Sequence, residues 1–126
     1  MNIPAQVLAL AAALVHLWIF TMESVRFARP EVHAMFEVRE ADVDVVRPWA
    51  FHQGCYNALL ALQVFAGLIA VHSGAIAAGE ALVLAAGAAM LAASVALIAF
   101  DPRRERIKGL IGQGAPALAT IIAVLA

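Results

Sequence analysis

Two ionisable side chains stand inside an otherwise apolar N-terminal stretch. His16 and Glu23 are seven residues apart, so on a helix they share a face. A carboxylate in hydrocarbon is costly unless it is paired, hydrated or protonated, and imidazole changes charge near neutral pH. The chemistry these two types offer is therefore proton transfer. Seven residues of helix separate their Cα atoms by about 10 Å, so a water or a third side chain has to bridge them. A second group, His52, Gln53, Tyr56, Asn57 and Gln63, falls within an arc of about 140° if the segment is helical. These side chains can orient a ligand. A third group is Gln113-Gly114-Ala115-Pro116. Pro116 frees a carbonyl near Gly112, and the glycines admit close backbone approach. An opened carbonyl beside Gln113 suits a cation or a polar ligand. The candidate ligand-binding or proton-relay set is His16, Glu23, His52, Gln53, Tyr56, Asn57 and Gln113.

Each of these residues also has a plain structural role open to it. Glu23 can form an ion pair with Arg26, Arg47 or Arg103. His16 can donate to a backbone carbonyl of a neighbouring helix. Gln53, Tyr56 and Asn57 can hold helices together, and the glycines can serve close packing. No metal site and no cofactor is expected: His16 and Glu23 are too far apart to share one ion, and no His and Glu stand at i, i+3 or i, i+4 within the apolar stretches, which leaves only His52 joining Glu23 across helices as an alternative. Cys55 is the single cysteine, so there is no intramolecular disulfide and no CxxC pair. It points away from the arc of His52 and Tyr56. His33 and His72 are expected at water-exposed ends, without a role. There is no Ser-His-Asp arrangement, phosphate loop or flavin fingerprint.

The elements that must position these groups follow from composition. The chain has 126 residues and is 64% apolar, against roughly 45–50% for soluble domains. The apolar residues collect in four stretches, at about 4–27, 48–71, 77–100 and 108–126. Each approaches or exceeds the roughly 20 residues needed to cross hydrocarbon as a helix. Pro48 suits a first helical turn, and Asp101-Pro102 ends the third stretch. The connection 28–47 fits either a short interfacial helix or an irregular loop. The start of the chain lacks the basic region of a secretory signal, which favours a retained span.

All eight Lys and Arg fall in two segments: Arg26, Arg29, Arg39 and Arg47, then Arg103, Arg104, Arg106 and Lys108. The positive-inside rule puts both segments on the cytoplasmic side and both termini on the other. The expected fold is all-α: a single-domain integral membrane four-helix bundle, residues 1–126, multi-pass in the inner (plasma) membrane. The net charge of −1 and the lack of a basic patch with interleaved aromatics argue against nucleic acid as a partner. The partner implied is the lipid bilayer.

Stripes of polar and small residues say how the spans would pack. Ala9, His16 and Glu23 share one face of the first. Glu80, Gly87, Ser94 and Asp101 recur every seven residues in the third. Gly109, Gly112, Gln113, Pro116 and Thr120 cluster in the fourth. Membrane helices meet through such residues, so these stripes are expected to face inward. Glu23, His52, Gln53 and Gln113 would then reach one level, about 6–8 Å below the cytoplasmic boundary at helical rise. Tyr56 and Asn57 would lie one turn deeper and His16 near the midplane.

Three blocks, His16-Leu-Trp-Ile-Phe-Thr-Met-Glu23, Gln53-Gly-Cys-Tyr-Asn57 and Gln113-Gly-Ala-Pro116, resemble the signature blocks of a small bacterial membrane family catalogued as domain of unknown function 1304. The resemblance covers nearly the whole chain, in order. It implies a four-span membrane protein of about this length with no established activity. The family usually has Asn before its Gln-Gly, where this chain has His52, and an aromatic soon after the glutamate, where this chain has Val25-Arg26-Phe27.

The first functional reading is a small carrier or channel-like protein with a polar pocket open to the cytoplasm, coupled to protons through Glu23 and His16. One four-helix bundle is too thin for a wide pore, so this reading expects a homo-oligomer, with the Ala- and Gly-rich third span as a contact surface. The second is a membrane enzyme acting on a lipophilic substrate, with Glu23 as general acid or base and Tyr56, Asn57 and Gln113 holding the substrate. The third is an accessory membrane subunit whose polar seam only sets helix register.

Overall fold

A computed structural model describes residues 1–126, and every regular element in it is helical. Helix α1 spans Ile3–Phe20 and runs into a π-helical turn, Thr21–Val25. A short helix α2, Pro30–Met35, and a 3₁₀ turn, Glu40–Asp42, follow. Helix α3 is Val43–His72 and α4 is Ile76–Phe100. Helix α5, Arg104–Gly109, passes through a second π-helical turn, Leu110–Gly114, into α6, Ala115–Leu125. Four helical stretches are long and apolar enough to cross a membrane: Ile3–Val25, Glu40–His72, Ile76–Phe100 and Arg104–Leu125.

The sequence explains several of these ends. Asn2 accepts the Ala5 N–H at 2.8 Å, which caps an otherwise unsatisfied donor at the start of α1. Helix α4 stops at Phe100 because Asp101, before Pro102, is held in an extended conformation at φ −136°, ψ 87°. Helix α3 begins earlier than Pro48. The 3₁₀ turn at Glu40–Asp42 leads straight into it, and Asp44 in its first turn favours the positive end of the helix dipole. Pro48 therefore lies within the helix, where it removes one backbone hydrogen bond. The connection between the first two spans contains the short α2, with Pro30 at its start.

The chain forms two compact units. One comprises Met1–Val15 and Leu60–Ala126, and the other His16–Leu59. The first is a bundle of segments from all four spans, with α4 at its centre. Gly79, Val83, Ala86, Gly87, Met90 and Ser94 form the buried face of α4. Against it, α3 and α4 cross at two glycines. A Cβ on Gly79 would lie 2.5 Å from the Gly67 carbonyl oxygen and 2.8 Å from the Val71 nitrogen. Farther along, Gly87 faces Ile121 and Ala117, and Gly114 faces Ser94. Such small-residue contacts let backbones approach where lipid removes any hydrophobic drive for helix association. Polar clasps join the ends of this unit: the Met1 ammonium pairs with Glu80 at 2.6 Å, Asn2 donates to the Ala123 carbonyl at 2.8 Å, and Gln63 donates to the Leu82 carbonyl at 3.2 Å.

The second unit consists of the end of α1, the first π turn, α2, the 3₁₀ turn and the first half of α3. Its buried residues include His16, Ile19, Met22, Phe27, Val32, His33, Val43, Gly54 and Asn57. Phe27 and Phe36 meet with ring centroids 5.9 Å apart.

Candidate functional site

Glu23 sits in the middle of the π turn Thr21–Val25. That turn closes with a hydrogen bond from the Arg26 N–H to the Thr21 carbonyl at 2.9 Å, five residues back. Thr21 also returns its hydroxyl to the Leu17 carbonyl at 3.0 Å. A hydroxyl bonded back along its own helix bends it and favours such an irregular turn. Glu23 is half-buried, and its Oε2 accepts a hydrogen bond from the Asn57 carboxamide at 2.9 Å. The same carboxamide donates to the Gln53 carbonyl at 3.2 Å, which fixes its orientation from its own helix. Asn57 is only 5% exposed. The partner of Glu23 is therefore an amide, and neither Arg26 nor Arg47 forms an ion pair with it.

Close approach of the two helices makes that bond possible. Ser24 donates its hydroxyl to the Phe51 carbonyl at 3.0 Å, across from Gly54. A Cβ on Gly54 would fall on the Ser24 hydroxyl and 3.1 Å from the Glu23 Cβ. Gly54 is thus the residue that lets the π turn lie against α3, one turn before Asn57.

The remaining candidate residues are distributed differently. His16 is 1% exposed on α1 and is hydrogen-bonded or otherwise engaged there. His52, Gln53 and Tyr56 lie on the exposed side of α3, with Tyr56 at 53%. The His52 and Tyr56 rings meet edge to face, with centroids 4.8 Å apart. Gln63 is half-buried. The inward face of α3 is instead Gly54, Asn57, Ala61, Val64 and Gly67. The polar arc of the second span therefore does not all turn inward, and the packed face combines small residues with Asn57. Cys55 is partly exposed, with a free thiol. Gln113 belongs to the other compact unit, in the second π turn, Leu110–Gly114, which is followed by Ala115-Pro116. No three His, Cys, Asp or Glu side chains converge.

His33 departs from its expected place at a water-exposed end. It is buried, and its Nδ1 lies 2.8 Å from the Val38 carbonyl oxygen. Its backbone carbonyl accepts from Val38 at 3.0 Å, so both ends of His33 close the loop over Glu37, which has φ +58°. Nothing in the local composition marks a left-handed glutamate, so the burial of His33 had no sequence signal. His72, in contrast, is exposed at the end of α3.

An all-helical chain with four apolar spans, small-residue helix contacts and a polar group inside its first span is a multi-pass membrane protein. The family model described as "Protein of unknown function (DUF1304)" matches residues 10–125, so the chain belongs to that family. No curated protein and no solved structure matches the chain.

Proposed function

We propose that this chain is a small proton-coupled membrane carrier in which Glu23 is the group that gains and loses the proton. The observation that carries this reading is the pairing of Glu23: a carboxylate inside a span whose partner is the Asn57 amide and not a cation. With no counter-charge, each proton gained or lost changes the net charge of the site. In an apolar surrounding that change is worth several kcal/mol. A neutral amide is compatible with both forms, since it can donate to a carboxylate and accept from a carboxylic acid. The irregular backbone supports the same reading. Both the turn holding Glu23 and the turn holding Gln113 are π-helical, and such turns often mark functional sites. Interrupted membrane helices are the usual place for carrier sites.

In this reading His16 extends the proton path along α1, and His52, Gln53, Tyr56 and Asn57 contribute to binding. The two basic segments lie on the cytoplasmic side and both termini on the other. The carrier works as a homo-oligomer, since one four-span bundle is too thin to enclose a wide path.

The test is dissipation of an imposed pH gradient in vesicles with a trapped pH dye. The wild-type protein is expected to dissipate the gradient faster than Glu23→Gln, with Glu23→Asp between them and all three equally folded. Equal rates for the wild-type and Glu23→Gln proteins would overturn the reading.

A further inference from the structure

Arg26 ends the π turn that carries Glu23, and its Nε is a buried hydrogen-bond donor with no acceptor anywhere in the chain. Buried polar atoms are nearly always paired, and a charged donor is costlier to leave alone than a neutral one. The other arginines with side-chain bonds show what the chain does when it pairs a guanidinium. Arg39 binds Asp42 at 2.7 Å, and Arg103 and Arg106 bind Asp101 at 2.6 Å and 3.0 Å. Arg26 has an acid three residues before it, the spacing at which an α-helix sets side chains side by side. The wider π turn shifts that register, and Glu23 is held by Asn57 instead. The turn thus keeps an acid and a base apart, with the acid bonded to an amide and the base aimed at no protein acceptor.

We propose that Arg26 is the docking charge for a ligand bearing an anionic oxygen group, a carboxylate or a phosphate. Guanidinium binds such groups through charge-assisted hydrogen bonds in which Nε–H is one prong of the planar fork. The ligand supplies the acceptor that the chain withholds. The inference rests on the carrier reading only for its consequence, that the solute is an anion moving with a proton that neutralises its charge. Binding at Arg26 stands by itself. The anionic group comes either from a soluble molecule or from a lipid headgroup.

The experiment follows the Arg26 Nε–H signal by nitrogen-15 NMR of the full chain in maltoside micelles, which carry no anionic oxygen, assigned by its loss in Arg26→Gln. Inorganic phosphate and acetate are titrated in, and a parallel sample adds phosphatidylglycerol to the micelles. A saturable shift with phosphate or acetate supports the proposal and identifies a soluble ligand. A shift with phosphatidylglycerol supports it and identifies a headgroup. By equilibrium binding of the same probe, Arg26→Gln should weaken affinity about tenfold or more, with Arg26→Lys between the two. A signal that moves with none of the three means that water alone satisfies Nε–H and overturns the proposal. The gradient assay on Glu23→Gln is independent of this titration, so the proton and anion readings fail separately.

Discussion

The two compact units of this chain solve the same packing problem with different materials. In the unit of Met1–Val15 and Leu60–Ala126, helices meet backbone to backbone, as at Gly67 and Gly79. In the unit of His16–Leu59, Gly54 brings the first π turn against α3, but what it meets is a hydroxyl, and beside it an acid is held by an amide. The first arrangement leaves no room for change, since a carbonyl oxygen cannot rotate away. The second is adjustable, because the Ser24 hydroxyl can turn and the Glu23 carboxyl can exchange a proton. Close backbone packing and hydrogen-bonded polar side chains thus occupy different stretches of the chain.

The largest break in that comparison is expected at the glycine crossing. Gly79→Ala puts a methyl group 2.5 Å from the Gly67 carbonyl oxygen and 2.6 Å from a Val71 methyl, so the helices must separate. The cost should reach about 3 kcal/mol, the upper end of the usual overpacking range. Unfolding in mixed micelles measures it. A loss below about 1 kcal/mol would mean that the crossing yields easily and that the contrast with Gly54 is false.

Next comes the polar pair. Asn57→Leu removes the donor to Glu23 and should destabilise by about 2 kcal/mol when Glu23 is ionised. Glu23→Gln lessens that loss, because a neutral amide asks less of its neighbour. A double-mutant cycle should give a coupling energy of about 1 kcal/mol, in the range found for hydrogen bonds between membrane helices. Strict additivity would show that the hydrogen bond contributes nothing, and it would remove the main support for the Glu23 reading.

Gly54→Ala sharpens the comparison by repeating the glycine test in the adjustable unit. The new methyl collides with the Ser24 hydroxyl, which can swing aside at the loss of its bond to the Phe51 carbonyl, and it lies 3.1 Å and 3.2 Å from the Glu23 and Ser24 Cβ atoms, which need to give by only a few tenths of an ångström. That loss is about 1 kcal/mol. The same substitution thus costs more at Gly79 than at Gly54, and a reversed order would contradict the assignment of rigid and adjustable units.

How much of this was legible beforehand depends on which physical signal each feature leaves in the sequence. The four spans are plain in the apolar runs, and the end of α4 in Asp101-Pro102, because both depend on local composition and backbone sterics. Glu23 and Asn57 stand out as polar residues in apolar surroundings, and they do bond to each other. The inward face of α3 was not legible from polarity. His52, Gln53 and Tyr56 share the arc of Asn57 yet are exposed, while Gly54, Ala61 and Val64 are buried. Small residues let membrane helices approach closely, so the packed face follows side-chain size as well as polarity. The π turns were foreshadowed only near Pro116, where a missing N–H loosens the helix. The turn at Glu23 has no proline, only Thr21 bonding back to Leu17. The burial of His33 depends on a turn through Glu37, which no periodicity encodes.

The smallest effect is expected outside the spans, where an ion-pair cluster ties the connection between α4 and α5. Arg103 and then Arg106 donate to Asp101 and keep its carboxyl well below the usual carboxylate range. A carboxylate with a lowered folded value contributes its full stabilisation above its unfolded value, about pH 4. That contribution erodes as the pH falls below this value and the acid takes up a proton in the unfolded chain first. Wild-type stability should therefore decline on acidification below about pH 4, and Asp101→Asn should remove that part of the decline while changing little near neutrality. Added salt should flatten the acid limb of the wild-type curve, since a solvent-facing cluster is screened. Thermal unfolding of both proteins across the acid range measures this. If the two acid limbs coincide, the cluster does not hold the connection, and Asp101 acts there only as the residue that precedes Pro102.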